Sequence, residues 1–233
     1  SQEKPRSVQD RMLKAIYAFS AQYSDIYNVV AMSLIVSLIS TALASMISLT
    51  LAIPVSLKNF KGKKLILRIA NTLMSLPPVL MGLVVYLMLS KEGPFGNLQL
   101  LFTPTAMIIS QTLLVLPIIF GVAVSGLSKT SKEIENTCIS LGANKKDVYI
   151  TIIKESKIQM LSAITVGFGR AISEVGAVMM VGGNIQGETR VMTTYIALET
   201  GKGNFKESLI IGAILLIISF LVNFILYRFQ EDN

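Results

Sequence analysis

Histidine and tryptophan are absent from this sequence, and cysteine occurs once, at Cys138. Without imidazole or clustered thiols the usual transition-metal sites, imidazole-based acid–base chemistry and any internal disulfide are not expected. Cys138 reads as a small apolar contact. Charge is scarce too: 15% of residues are charged against 52% apolar. That leaves too little polar surface for a soluble globule, so the chain reads as an integral membrane protein. No paired carboxylates and no nucleophile with its base are visible, so an enzyme is not expected. Nor is a nucleic-acid partner, although the net charge is +7.

What is present is a series of long charge-free runs. Ile26 to Leu57, Ile69 to Ser90 and Gly93 to Ser128 each exceed the roughly 20 residues that cross a hydrocarbon core as a helix. A fourth span, Ile158 to Gly183, is apolar except for Arg170 and Glu174, and a fifth covers Ser208 to Tyr227. The fold class expected is all-α: a polytopic membrane protein of about five transmembrane helices, one domain over residues 1–233. Lys58, Lys61, Lys63, Lys64 and Arg68 crowd one short loop, and lysines recur through Lys129 to Lys157. Both loops are therefore expected in the cytoplasm, with the N-terminus outside and the C-terminus inside. Lys4, Arg6, Arg11 and Lys14 run against this but are outnumbered. Val8, Met12, Ala15, Ile16 and Phe19 share one helical face, predicting an interfacial helix over residues 7–25 before the first span.

The segment 129–157 is polar and basic between two spans. Ile134, Cys138 and Leu141 recur at helical spacing, Gly142 supplies a stop, and Asn144 is placed to cap a second helix with Asp147 at its third position. Val148, Tyr149, Ile152 and Ile153 form a stripe on that second helix, suited to a protein partner. Gly121 and Gly126 have the glycine spacing of a phosphate-binding loop. The lysine it needs directly after the second glycine is missing, because Leu127 and Ser128 intervene, so any ATP is bound by another chain.

Glu135-Asn136-Thr137-Cys138-Ile139-Ser140-Leu141-Gly142-Ala143, with Ile152 following, resembles the cytoplasmic coupling loop of ABC-importer permeases. Asn136, Thr137 and Cys138 replace the family's Glu-Ala-Ala triplet, and Lys154 and Glu155 stand where it has Leu and Pro. Gly169-Arg170-Ala171-Ile172-Ser173-Glu174-Val175-Gly176-Ala177, with Thr189-Arg190-Val191-Met192-Thr193-Thr194 and Leu76-Pro77-Pro78, resembles the permeases of tungstate (molybdate/tungstate-like oxyanion) uptake systems. The resemblance implies a multi-pass permease in a prokaryotic plasma membrane, surrounded by lipid. It also implies two cytoplasmic ABC ATPase subunits that hold ATP and Mg, an external substrate-binding protein, and no cofactor or metal on this chain. Glu135, Ser140, Leu141, Gly142 and Ala143 are the expected ATPase contacts. A molybdate or general oxyanion permease, or an ATP-independent secondary transporter, are the alternatives; the last wants coupling carboxylates inside the spans, and only Glu174 is available.

Arg170 and Glu174 lie four residues apart and are expected to share one face near the middle of the fourth span as an ion pair, since either charge alone costs about 2.5–3.5 kcal/mol there. Pro77-Pro78 and Pro117 are expected to interrupt the second and third spans and to face a cavity or other protein. Ser75, Pro77, Pro78, Gln111 and Ser173 are the expected pathway residues. Gly167, Gly169, Gly176, Gly182 and Gly183 predict a surface for close helix approach. Five spans do not easily enclose a hydrated path, so a homodimer with the path at its interface is expected. The connection 184–207 is expected outside, with Tyr195-Ile196-Ala197-Leu198 as a short apolar patch.

Overall fold

The structure of the protein is a computed structural model describing residues 8–58 and 60–231, with side chains over 25–58 and 60–228. Among these residues every regular element is a helix. Helix α1 covers Val8–Leu57, α2 Lys63–Met74, α3 Pro78–Leu89, α4 Pro104–Ser140 and α5 Lys145–Glu155. Then follow α6 Lys157–Ile172, α7 Gly176–Gly182, α8 Met192–Gly201 and α9 Phe205–Glu231. The helix expected before the first span forms the opening turns of α1. Its interfacial placement depends on side chains outside the described residues.

The core gathers on α4, where Val115, Ile119 and Ala123 are wholly buried. Helix α1 reaches α4 with small side chains, Ser40, Ala44, Ser48 and Ala52, all at zero exposure. Lipid offers no hydrophobic drive for helix association, so close approach and interhelical hydrogen bonds take its place. The Ser48 hydroxyl donates to the Leu116 carbonyl at 2.8 Å and the Ser40 hydroxyl to Gln111 Oε1 at 3.2 Å. The opposite face of α1 presents Leu38, Ile39, Leu43, Met46 and Leu51 outward, and α9 presents Leu216, Phe220 and Phe224, as lipid-facing surfaces should.

Three helices are long and apolar enough to cross a membrane alone: Asp25–Leu57 within α1, α4, and Phe205–Arg228 within α9. The other two expected spans are bent pairs. Helices α2 and α3 meet at 98° and α6 and α7 at 57°. The first bend follows from Pro77-Pro78: Pro78 opens α3, where its missing N–H is harmless, and proline pushes the residue before it out of the helical region. With 12 residues, α3 is about 18 Å long, well short of the ~30 Å core.

Four expectations are corrected. Pro117 does not interrupt its span: α4 runs through it unbroken, buried on all sides so that tertiary packing offsets the roughly 3 kcal/mol an interior proline costs. Lys63, Lys64 and Arg68 are not in a loop but on α2, because Leu67, Ala70 and Met74 recur at helical spacing and pack on α4. The fourth span is broken at Ser173 to Val175. Gly169 makes no close contact within the chain, since a Cβ there would meet nothing within 4 Å; Gly167, Gly176, Gly182 and Gly183 do lie against neighbours.

Candidate functional site

Two arrangements stand out. The first is the protruding element at the end of α4. The helix ends at Ser140, Gly142 adopts φ +79° with open space around it, and the Asn144 side chain accepts from the Lys146 and Asp147 amides at 2.9 and 3.0 Å. A left-handed residue followed by an Asn cap is what turns the chain sharply into α5. Val148 and Ile152 are buried, while Tyr149 is exposed at the edge of the stripe. The turn itself projects: Leu141 is 81% exposed and Ile139 60%, with Glu135, Ser140 and Gly142 exposed beside them and Ala143 half-buried. Ala143 faces a cavity of about 470 Å³ bounded also by Leu57, Glu135, Ile139, Tyr149 and Ile152. Leu141 and Ile139 together make an exposed apolar edge on a capped turn.

The second arrangement is the pair of breaks, which adjoin. A Cβ on Gly176 would come within 2.6 Å of Val79 Cγ2, and one on Gly82 within 2.8 Å of the Ala177 Cα, so α3 and α7 touch backbone to backbone. Ser75, Pro77 and Ser173 are exposed at these breaks and Pro78 is half-buried. Backbone irregularity at membrane depth is tolerated where it lines water or meets protein. The serine hydroxyls donate within their own helices, Ser75 to the Asn71 carbonyl at 3.4 Å and Ser173 to that of Gly169 at 2.9 Å.

Arg170 and Glu174 do pair, at 2.9 Å, but across the break and not on one continuous helical face. The chain leaves the helix after Ile172. Glu174 Oε1 then accepts from the Ala177 amide at 3.1 Å, and its main-chain carbonyl accepts from the Thr193 hydroxyl at 2.7 Å. One residue thus joins α6, α7 and α8. Its side chain is 2% exposed against 34% for Arg170, so the carboxylate depends on the guanidinium more than the reverse.

Gln111 is enclosed between helices, at the edge of a small cavity that Glu174 and Thr193 also line. It is 1% exposed, its Nε2 donates to the Ala171 carbonyl and its Oε1 accepts from Ser40. It ties α1, α4 and α6 together, and the uncharged amide pattern gives no sign of which partners lie across from it. The break at Ser173 to Val175 was also missed. No local signal marked it, since Ser173-Glu174-Val175 holds no proline and glutamate suits a helix interior.

In the connection 184–207 the expected apolar patch is half-buried, with Ala197 exposed. Tyr195 and Ile196 pack with Val29, Met192 and Ile211, and the Arg190 guanidinium sits 5.6 Å from the Tyr195 ring centre. Burial, then Glu207 and Glu199, push the Tyr195 phenol above its ordinary value. Hydrogen bonds from Asn204 and then Lys202, each at 2.7 Å, hold the Glu199 carboxyl below its ordinary range. Among the described residues no group of His, Cys, Asp or Glu is placed to hold a metal ion.

The sequence profile of the binding-protein-dependent transport system inner membrane components matches residues 44–232. The chain is 45% identical over 207 residues to a tungstate uptake system permease protein of Peptoclostridium acidaminophilum, covering 89% of this chain and 91% of that one. It is 37% identical over 209 residues to a probable anion ABC transporter permease protein of Haloferax volcanii, covering 88% and 90%. A crystal structure of an amino acid ABC transporter superposes with a TM-score of 0.66 at 16% identity, covering 93% of this chain and 98% of that one. At that identity the superposition speaks for the fold alone.

Proposed function

Because the chain belongs to the binding-protein-dependent transport system inner membrane components, and so is the membrane-spanning permease subunit of an ABC importer whose ATP is hydrolysed by a partner, we propose that its cargo is tungstate. The observation that carries the cargo is the 45% identity to a tungstate uptake permease over nearly the whole of both chains. Two copies form the pathway between them, with the breaks at Ser75 to Pro78 and around Ser173 lining it. Support for this comes from the exposure of residues at both breaks on a single chain, inside helix pairs that are together apolar enough to span a membrane, where irregular backbone should face water or protein. The N-terminus lies outside, the C-terminus and the 129–157 element lie in the cytoplasm, and the basic residues at the α5 end support that orientation.

Coupling runs through the exposed turn. The ATPase receives Leu141, with Glu135, Ser140, Gly142 and Ala143 around it. Closure of the ATPase pair on ATP draws the two turns together, and because α4 is one helix from Pro104 to Ser140, that displacement reaches the level of the breaks. The external binding protein supplies tungstate to the outward-open state. This chain's share is to hold the path shut on one side while it opens on the other.

The test is metal accumulation, read by mass spectrometry, in cells with and without the chain, offered nanomolar tungstate and molybdate together. Loss of tungsten uptake alone is the expected result. Loss of both metals overturns selectivity for tungstate, and loss of neither overturns the cargo altogether.

A further inference from the structure

The basic residues of α2 serve no contact in the coupling element, and their placement on a helix gives them a direction. Lys63 is accounted for: its ammonium donates to the Ser56 and Lys58 carbonyls at 3.1 and 3.3 Å, closing the C-terminal end of α1. Lys64 and Arg68 are different. Both are exposed, and among the described residues neither has a carboxylate partner. At 3.6 residues per turn, Lys64, Arg68, Asn71, Thr72 and Ser75 fall within about 100° of one another and extend over about 16 Å. All five are exposed. The inner face, Leu67, Ala70 and Met74, packs on α4, and Leu65, Ile69 and Leu73 form a separate apolar strip, 61%, 51% and 40% exposed.

Helix α2 therefore has three sides: one against the core, one suited to lipid, and one polar. The polar side starts near Lys58 at the α5 end and finishes at Ser75, the first residue of the break before Pro77. Its two cations are at the outer end, and its uncharged polar groups lead to the break: the Asn71 amide, then the Thr72 and Ser75 hydroxyls, which rest on the Arg68 and Asn71 carbonyls at 2.9 and 3.4 Å and must turn outward to donate. We infer that this side is the exit track for the oxyanion: hydroxyl and amide donors receive it from the break, and Arg68 with Lys64 draws it toward the cytoplasm. The inference rests on the oxyanion cargo and the orientation proposed above. The gradation is what the task requires, since fixed cations beside the break would trap a dianion, whereas cations at the mouth raise its escape rate by focusing the field. Anionic lipid headgroups are the rival occupants of Arg68. They give no account of why the donors continue inward to Ser75.

The experiment uses the full complex of permease, ATPase and binding protein in phosphatidylcholine vesicles, with the ATPase facing the bath and tungstate and binding protein inside. ATP is added to the bath, and tungstate released is counted per ATP hydrolysed. No ATP-dependent release by the unaltered complex would defeat the proposed cargo, separately from the exit track. Given release, Arg68→Gln is expected to lower the yield roughly tenfold, and Arg68→Lys to restore most of it. Raising bath KCl from about 0.05 to 0.5 M should bring the unaltered complex toward the Arg68→Gln value, because the screening length shrinks severalfold. Three results overturn the inference: an Arg68→Gln yield equal to the unaltered one; a loss that Arg68→Lys shares and salt does not imitate, which marks a structural role; or a loss seen only when anionic lipid is added, which marks a headgroup site.

Discussion

Replacing Gln111 by leucine separates a path residue from a structural one, because the two roles predict opposite readouts. The substitution keeps an apolar side chain of similar volume in the interface of α1, α4 and α6 and deletes two side-chain hydrogen bonds, to the Ala171 carbonyl and from the Ser40 hydroxyl. Interhelical bonds of this kind average about 0.6 kcal/mol each and reach at most about 1.7. The penalty for stranding a partner, about 1–3 kcal/mol, is mostly avoided. The Ala171 carbonyl keeps the Glu174 amide at 3.1 Å, and the Ser40 hydroxyl can turn fully to the Ser37 carbonyl at 3.2 Å. The expected loss is therefore about 1–2 kcal/mol, at the low end of what two buried bonds can cost. Reversible unfolding of the purified chain in mixed micelles measures it, beside uptake normalised to the amount of folded complex. Normalised uptake should be unchanged. A variant that keeps full stability and loses uptake would falsify the assignment of Gln111 as a tie and return it to the path.

Other outcomes follow from the same contacts. Gly142→Val forces a β-branched residue into φ +79°, a cost of about 1–2 kcal/mol confined to the turn; helix content should persist while ATP hydrolysis proceeds without uptake, and normal coupled uptake would refute the role of the turn. Leu141→Asp should reduce the ATPase recovered with the purified permease, and undiminished recovery counts against Leu141 as the contact. Arg170→Ala strands a carboxylate that is 2% exposed, so assembled complex should fall, and the double variant Arg170→Ala with Glu174→Gln should recover part of it; equal yields for the single and double variants would remove the ion pair from the explanation. Glu199 titrates lower in the folded chain than its ordinary 4.5 because of Asn204 and Lys202. The sign is that of a depressed acid: its stabilisation is full above the unfolded value and is lost as pH falls through the lower folded value. Amide exchange at the junction of α8 and α9 should thus accelerate below about pH 4.5 and lose that component in Glu199→Gln; an unchanged profile in that variant would refute the contribution.

Features decided by residues adjacent in the chain were legible. The Pro77-Pro78 bend, the Gly142 turn and the Asn144 cap each depend on backbone chemistry within three or four residues. What escaped was decided across the fold. The break at Ser173 contains no proline and exists because Thr193, nineteen positions on, takes the Glu174 carbonyl while the carboxylate caps α7. Pro117 misled in the other direction, since a proline surrounded by packed helices keeps its place in the helix. Lysines on α2 were read by charge as a loop although the helical period of Leu67, Ala70 and Met74 was there to be counted. Gln111 was legible as a polar group in a span, but not as one already engaged on both sides.

One consequence of α4 concerns mechanical gain. Between Pro117 and Leu141 the helix is about 36 Å long with no flexible joint, and Pro117 is the point where one backbone bond is missing. A tilt of about 6° there carries the tip through about 4 Å, roughly three helical residues of rise. On the coupling proposed above, a shift of about 4 Å imposed on Leu141 would arrive beside the breaks as a fraction of an ångström with correspondingly greater force. A helix used in this way would trade travel for force, the exchange needed when the load is a closely packed contact such as Gly82 on Ala177.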